Sequence, residues 1–215
     1  MFDNRVQAGK KLADRLKKFT GKDVVVLGVP RGGVVVANEV AKALGAPLDV
    51  VIAKKIGAPG EPEYALGAVT EEGDVVLNWQ EAEFVGASRA YIEDQVRERK
   101  SEVRERLERL RGGIPYPELK GKVVLIVDDG IATGSTMEAA VKSVRKRQPT
   151  DVIVAVPVAP GDAVERLSQA GIEVVCLESP KAFFAIGEFY REFGQVEDQE
   201  VERILREGLA RRRAN

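Results

Sequence analysis

Apolar residues follow one another along this chain in two alternating rhythms. Near-continuous β-branched runs stand at residues 23–29 (DVVVLGV), 47–56 (PLDVVIAKKI), 122–130 (KVVLIVDDG), 151–160 (DVIVAVPVAP) and 173–179 (EVVCLES). Runs that are apolar at nearly every position describe strands covered on both faces, as in a parallel sheet. Between them the apolar residues take helical spacing, at 33–45 (GVVVANEVAKALG), 135–147 and 161–170. At the start, Phe2, Val6, Leu12, Leu16 and Phe19 recur at roughly helical spacing after the capping-type Asp3 and Asn4, so residues 4–18 read as an amphipathic helix packed on a sheet. Strand alternating with helix predicts an α/β fold, a Rossmann-like parallel sheet flanked by helices.

The middle of the chain breaks this alternation. EYALGAVTEEGDVVLN (63–78) holds two short apolar runs around a turn signal at Glu72-Gly73 and predicts an antiparallel hairpin. A charged helix follows over 89–111, in which Ile92, Val96, Val103, Leu107 and Leu110 form a narrow stripe interrupted near Arg99, with Gly112 and Gly113 ending it. That stripe suits a solvated helix with one packed edge; the alternative is a dimerisation or lid helix. The expected organisation is one domain over 1–215, with an insertion at about 60–115 and a small C-terminal cap at about 180–215. Arg211 to Arg213 read as a solvated, frayed tail.

Composition narrows the chemistry. With 33 basic and 34 acidic residues the balance is near neutral, which argues against a general nucleic-acid binder or a polybasic membrane protein and favours work on small molecules. Histidine is absent and there is one cysteine, Cys176, in an apolar run. Those counts exclude an internal disulfide, every serine–histidine–aspartate or cysteine–histidine arrangement, and in practice a structural zinc site. Cys176 itself reads as a small buried hydrophobe. The N-terminal stretch lacks the continuous apolar segment of a signal peptide or membrane span, so a soluble, cytoplasmic protein without membrane association is expected.

What remains for chemistry is carboxylates, cations, hydroxyls, backbone amides and a magnesium ion. VVLIVDDGIATGST (123–136) sets Asp128 and Asp129 at a strand end and follows them with Thr133, Gly134, Ser135 and Thr136 ahead of a helix. Ligands of an open parallel sheet sit beyond the carboxyl ends of its strands, and glycines, hydroxyls and free amides at a helix start form a phosphate cradle. The spacing is neither that of a Walker loop nor that of a dinucleotide turn, so one phosphate group is expected. Bare carboxylates repel phosphate, so Asp128 and Asp129 call for vicinal ribose hydroxyls or Mg2+. The first strand ends in GVPRGG (28–33), where Arg31 and the amides of Arg31, Gly32 and Gly33 form a second, openly cationic anion site. If the 23–29 strand lies between those at 47–54 and 123–128, both sites flank one crevice, and the ligand carries two separated phosphate groups around a diol.

That description fits 5-phosphoribosyl 1-pyrophosphate (PRPP). VVLIVDDGIATGST closely resembles the PRPP-binding signature of type I phosphoribosyltransferases, GVPRGG resembles that family's pyrophosphate loop, and AKKIGAPGEPEYALGAV the segment leading into its mobile catalytic loop. RVQAGKKLA and FYREFGQVEDQEV are similar to a bacterial subgroup of the family, so the resemblance spans almost the whole chain. It implies the type I phosphoribosyltransferase fold, with Asp128 and Asp129 on the ribose 2- and 3-hydroxyls and Ala132, Thr133, Gly134, Ser135 and Thr136 around the 5-phosphate. Pro30, Arg31, Gly32 and Gly33 would form the pyrophosphate loop, reached by Lys54 or Lys55 from the next strand. The family's signature often carries a second threonine where this chain has Ala132.

The implied reaction moves the 5-phosphoribosyl group of PRPP, with Mg2+, to a purine, pyrimidine or related nitrogenous base and releases pyrophosphate. The alternative is a catalytically weak PRPP-binding regulatory protein. The Pro and Gly punctuation of GAPGEPEYALG suits a closing loop. Phe183, Phe184, Phe189, Tyr190 and Phe193 offer either a stacking face for a base or a packed cap core. A homo-oligomer is compatible with all of this.

Overall fold

The computed structural model describes residues 1–70, 73 and 75–214. In chain order they form α1 (Arg5–Arg15), β1 (Val24–Gly28), α2 (Gly32–Leu44), β2 (Leu48–Val50), β3 (Ala53–Ala58), β4 (Glu61–Thr70) and β5 (Val75–Leu77). After these come α3 (Trp79–Phe84), α4 (Arg89–Arg111), β6 (Val123–Val127), α5 (Ser135–Lys146), β7 (Asp151–Val158), α6 (Gly161–Gln169), β8 (Glu173–Glu178) and α7 (Asp198–Ala214).

The main sheet has the order β2-β1-β6-β7-β8 with every pairing parallel, so β1 does lie between β2 and β6. Side chains alternate across β1 and β6. Val24, Val26, Leu125 and Val127 pack with α1 and α2, while Val25, Leu27, Val124 and Ile126 pack with α5 and α6. Both faces are thereby covered, which is why these strands read as unbroken apolar runs. The helix that begins the chain is capped as its sequence suggests, Asn4 accepting a hydrogen bond from the Gln7 amide at 3.0 Å.

The 47–56 run is not one strand. β2 ends at Val50, and β3 belongs to a second, three-stranded antiparallel sheet of order β3-β4-β5. An unbroken run of β-branched residues carries no mark of a change of sheet, so the pattern could not reveal the split. The segment GAPGEPEYALG, read as a closing loop, is an antiparallel ribbon: Ala58 pairs with Glu61 across Pro59-Gly60, with Gly60 at φ 77°. The expected hairpin is present as β4 and β5, and Glu72 of its turn lies outside the described residues.

The long helix α4 ties the two sheets together. Ile92 packs on Ile56, Leu66 and Val69 of the small sheet, while Val103, Leu107 and Leu110 pack with Val34, Val50, Val201 and Ile204 beside the main one. The interruption at Arg99 falls between these anchor points. α7 joins the second of them, and Arg106 and Arg109 both pair with Asp198 at its start. Arg211 therefore does not fray: its guanidinium donates to Asn38 Oδ1 at 2.8 Å from within α7. Among the described residues, no helix is long and apolar enough to cross a membrane.

Candidate active site at the carboxyl edge of the sheet

β1 is followed by α2 on one face of the sheet and β6 by α5 on the other. The chain thus departs in opposite directions from two adjacent strands, which opens a crevice at their carboxyl ends. β1 and β6 are in register from Val24↔Val123 to Gly28↔Val127, and the Val29 amide donates to the Val127 carbonyl at 2.9 Å. This register brings the loops 29–33 and 128–134 side by side.

The contact between them is close. A Cβ on Gly32 would stand 1.9 Å from Asp129 Oδ2, and one on Gly33 would stand 2.6 Å from Asp128 Oδ1 and 2.8 Å from Asp128 Cα. Only glycine at both positions lets the acids lie against the start of α2. The peptide between Pro30 and Arg31 is cis. Arg31 caps α2, half-buried, and its guanidinium has no acidic partner among the described residues.

The two acids differ. Burial and the neighbouring charge of Asp129 push the Asp128 carboxyl well above the usual carboxylate range. Asp128 Oδ1 accepts a hydrogen bond from the Asp129 amide at 2.8 Å. Asp129 is buried and ion-paired, its Oδ2 lying 2.7 Å from Arg5 Nε, while its carbonyl accepts from the Tyr190 hydroxyl at 2.6 Å. Burial and the Asp129 charge in turn raise the Tyr190 phenol, so it stays a donor.

The second loop is more open. Ala132 and Thr133 are exposed, Ser135 and Thr136 half-buried, and Thr133 Oγ1 lies 3.2 Å from Ser135 Oγ. Gly134, at φ 81°, caps α5, whose first amides have no acceptor within the helix and point into the loop. Nearby, an Arg166 guanidinium nitrogen lies 3.3 Å from where a Cβ on Gly134 would stand. A groove of about 480 Å3 between the small sheet and this helix start is lined by Leu66, Ala68, Trp79, Ser135 and Arg166.

Asp128, Asp129, Pro30, Arg31, Gly32, Gly33 and the 132–136 loop are therefore brought together. Lys54 and Lys55 are not at the end of a main-sheet strand. Both sit on β3, and the Lys54 ammonium pairs with Glu102 of α4 at 3.3 Å. Successive strand residues face opposite ways, so Lys55 lies on the face away from α4.

Sequence reasoning missed Arg5 and Arg166, and left Tyr190 and Phe193 as generic cap aromatics. Arg5 reaches Asp129 from 124 positions away, and no local pattern announces such a pairing. The aromatics divide: Phe183 stacks on Phe189 with centroids 5.4 Å apart, Phe193 lies under Arg5, and Phe184 is 87% exposed. A pocket of about 490 Å3 beyond β7 and β8 is lined by Pro160, Asp162, Ser179, Lys181 and Phe183. Among the described residues no cluster of three or more acids or cysteines forms a metal cage. Two adjacent carboxylates at a crevice do fit Mg2+, which is commonly held by one or two carboxylates plus substrate phosphates.

Residues 3–192 match the family model of the phosphoribosyl transferase domain. A Mycobacterium tuberculosis protein named "Putative phosphoribosyl transferase" is 46% identical over 205 residues, covering 95% of this chain and 46% of its own length. This chain thus spans about half of that relative. The crystal structure of TT1426 from Thermus thermophilus superposes with a TM-score of 0.84 at 48% identity, covering 96% of this chain and 98% of its own. A purine phosphoribosyltransferase from Pyrococcus horikoshii, at 19% identity and a TM-score of 0.50 over 92% of this chain and 97% of its own, shares the fold. With its two loops joined across β1 and β6 and the family model matching most of its length, the chain belongs to the type I phosphoribosyltransferase family.

Proposed function

We propose that this protein transfers the 5-phosphoribosyl group of PRPP to a nitrogenous base and releases pyrophosphate. The observation that carries this reading is the pair of unlike anion loops closed on one acid pair, with Gly32 and Gly33 against Asp129 and Asp128. Asp128 and Asp129 hold the ribose 2- and 3-hydroxyls. The loop Ala132, Thr133, Gly134, Ser135 and Thr136 holds the 5-phosphate, with Arg166 as a nearby cation. Pro30, Arg31, Gly32 and Gly33 receive the pyrophosphate, and Lys54 or Lys55 of β3 reaches it from beside the crevice.

In the reaction the C1–O bond to pyrophosphate breaks and a bond from C1 to a ring nitrogen forms, the nitrogen's proton passing to solvent. Positive charge develops on the ribose, where the acid pair offsets it, and negative charge on the leaving group, where Arg31 and the loop amides offset it. Mg2+, held by Asp128 or Asp129 together with the ligand's own oxygens, would supply further compensation for the leaving group's charge. The β3–β4 ribbon is suited to cover the crevice and exclude water. The pocket formed by Pro160, Asp162, Ser179, Lys181 and Phe183 is the candidate base site, and the exposed Phe184 beside it is a candidate stacking face. The cytoplasm suits this chemistry.

The test needs no known base. Magnesium–PRPP at about 100 times its dissociation constant stabilises the fold by about 2.7 kcal/mol, a rise in Tm of roughly 5–10 °C. Asp128→Asn with Asp129→Asn abolishes that rise while inorganic phosphate keeps its smaller one. A folded double variant with the full PRPP rise refutes the diol clamp, and a wild type with none refutes PRPP as the ligand. Screening purines, pyrimidines and related bases for pyrophosphate release then names the acceptor.

A further inference from the structure

We propose that Arg5 is the positioning residue of the active site, gripping Asp129 and so fixing the acid pair that meets the ribose, and that the grip is built by residues from both ends of the chain. The inference rests on the PRPP reading above.

The guanidinium of Arg5 is engaged on three sides. Its Nε donates to Asp129 Oδ2 at 2.7 Å, an Nη donates to the Gly194 carbonyl at 2.8 Å, and its face lies on the Phe193 ring with the central carbon 3.8 Å from the centroid. Phe193 in turn packs on Tyr190 with centroids 4.9 Å apart, and the Tyr190 hydroxyl donates to the Asp129 carbonyl. The circuit closes on the residue where it began. It is fixed to the fold by backbone bonds between the segments, from Phe2 N to Phe189 O at 2.7 Å, Arg191 N to Phe2 O at 2.9 Å and Glu192 N to Asp3 O at 2.9 Å.

This geometry argues for positioning and against direct ligand binding. An arginine meant to hold pyrophosphate would present its fork to the crevice, as Arg31 can; Arg5 has committed its Nε, one Nη and a ring face to protein groups. Asp129, with Oδ2 held by Arg5 and only 12% of its side chain exposed, also meets the Asp128 carboxyl, so the grip of Arg5 sets how the acid pair as a whole stands toward the crevice. Without Arg5 the Asp129 carboxylate would lose its ion pair, the like charge beside Asp128 would lose that compensation, and Asp129 would be free to turn from Gly32.

The experiment measures magnesium–PRPP and inorganic phosphate binding by calorimetry on wild type, Arg5→Gln, Arg5→Lys, Asp129→Asn and the Arg5→Gln, Asp129→Asn pair. Arg5→Gln weakens PRPP roughly ten- to hundredfold and leaves phosphate unchanged. Arg5→Lys, which keeps the charge, recovers part of the loss. In the Asp129→Asn background the Arg5→Gln change adds nothing, because the carboxylate through which Arg5 acts is gone. Equal weakening of PRPP and phosphate, or full additivity with Asp129→Asn, overturns the positioning role. If Arg5→Gln does not fold, the Arg5→Lys and Asp129→Asn arms decide the matter, since Arg5→Lys binding PRPP as wild type does also overturns it. A wild type that binds no PRPP overturns the transferase reading and this inference with it, whereas a wild type and Arg5→Gln that bind PRPP equally overturn this inference alone.

Discussion

The loops after β1 and β6 start alike and finish differently. Each leaves a buried strand of the same sheet, runs through glycine and opens a helix. The first is tight and cationic: Gly32 and Gly33 have no room for a side chain, and Arg31 stands at the helix cap. Past its acid pair the second is open and uncharged, with exposed Ala132 and Thr133 and a glycine chosen for its positive φ. A loop that must meet a departing, highly charged group needs charge and rigidity, whereas one that holds the same phosphate throughout needs only hydrogen-bond donors. On the proposed reading, the first loop therefore meets the end of the ligand that departs and the second the end that stays.

Three substitutions can break or sharpen that contrast. The largest ligand effect is expected from Arg31→Ala, which removes a charge-assisted contact worth roughly 1.5–3 kcal/mol. It should weaken pyrophosphate and PRPP while sparing ribose 5-phosphate, and titration with the three ligands checks it. Equal losses would make the first loop's arginine structural and erase the distinction. Next comes Gly33→Ala, where the new methyl meets the Asp128 backbone, so overpacking should cost about 1–3 kcal/mol of folding stability. Denaturant unfolding measures this; a neutral result would mean the acids can move off the first loop. The smallest is Thr133→Ala in the second loop, one neutral hydrogen bond or about 0.5–1.5 kcal/mol, felt by phosphate and PRPP alike. A loss confined to PRPP would show that Thr133 reads ribose instead.

The main sheet was legible because its chemistry is local: strands covered on both faces must be apolar throughout, and a carboxyl-end loop carries its glycines and hydroxyls beside the strand that aims them. Even the neighbouring of β1 and β6 could be argued, since two anion loops serve one ligand only if they adjoin. The small sheet was half legible. Its β4–β5 hairpin carried alternation and a turn, but β3 was hidden within the β2 run, so Lys54 and Lys55 were assigned to the wrong sheet. The contacts of Arg5 were not legible at all. An arginine on an amphipathic helix looks like solvated surface until the chain brings Phe193 under it and Asp129 against it.

That late meeting has a consequence for how the molecule is assembled. The contacts of Arg5 bridge 124 and 189 positions of sequence, and a pairing so distant repays its loop-closure entropy only after the intervening sheet has formed. The phosphate loops, each built from a strand and the helix that follows it, mature with their local units. The acid between them gains its anchor only when residues 189–194 arrive against Phe2 and Arg5. On the proposed reading, a growing chain would acquire its hold on phosphate before its hold on the sugar, and the combination of the two would be completed last.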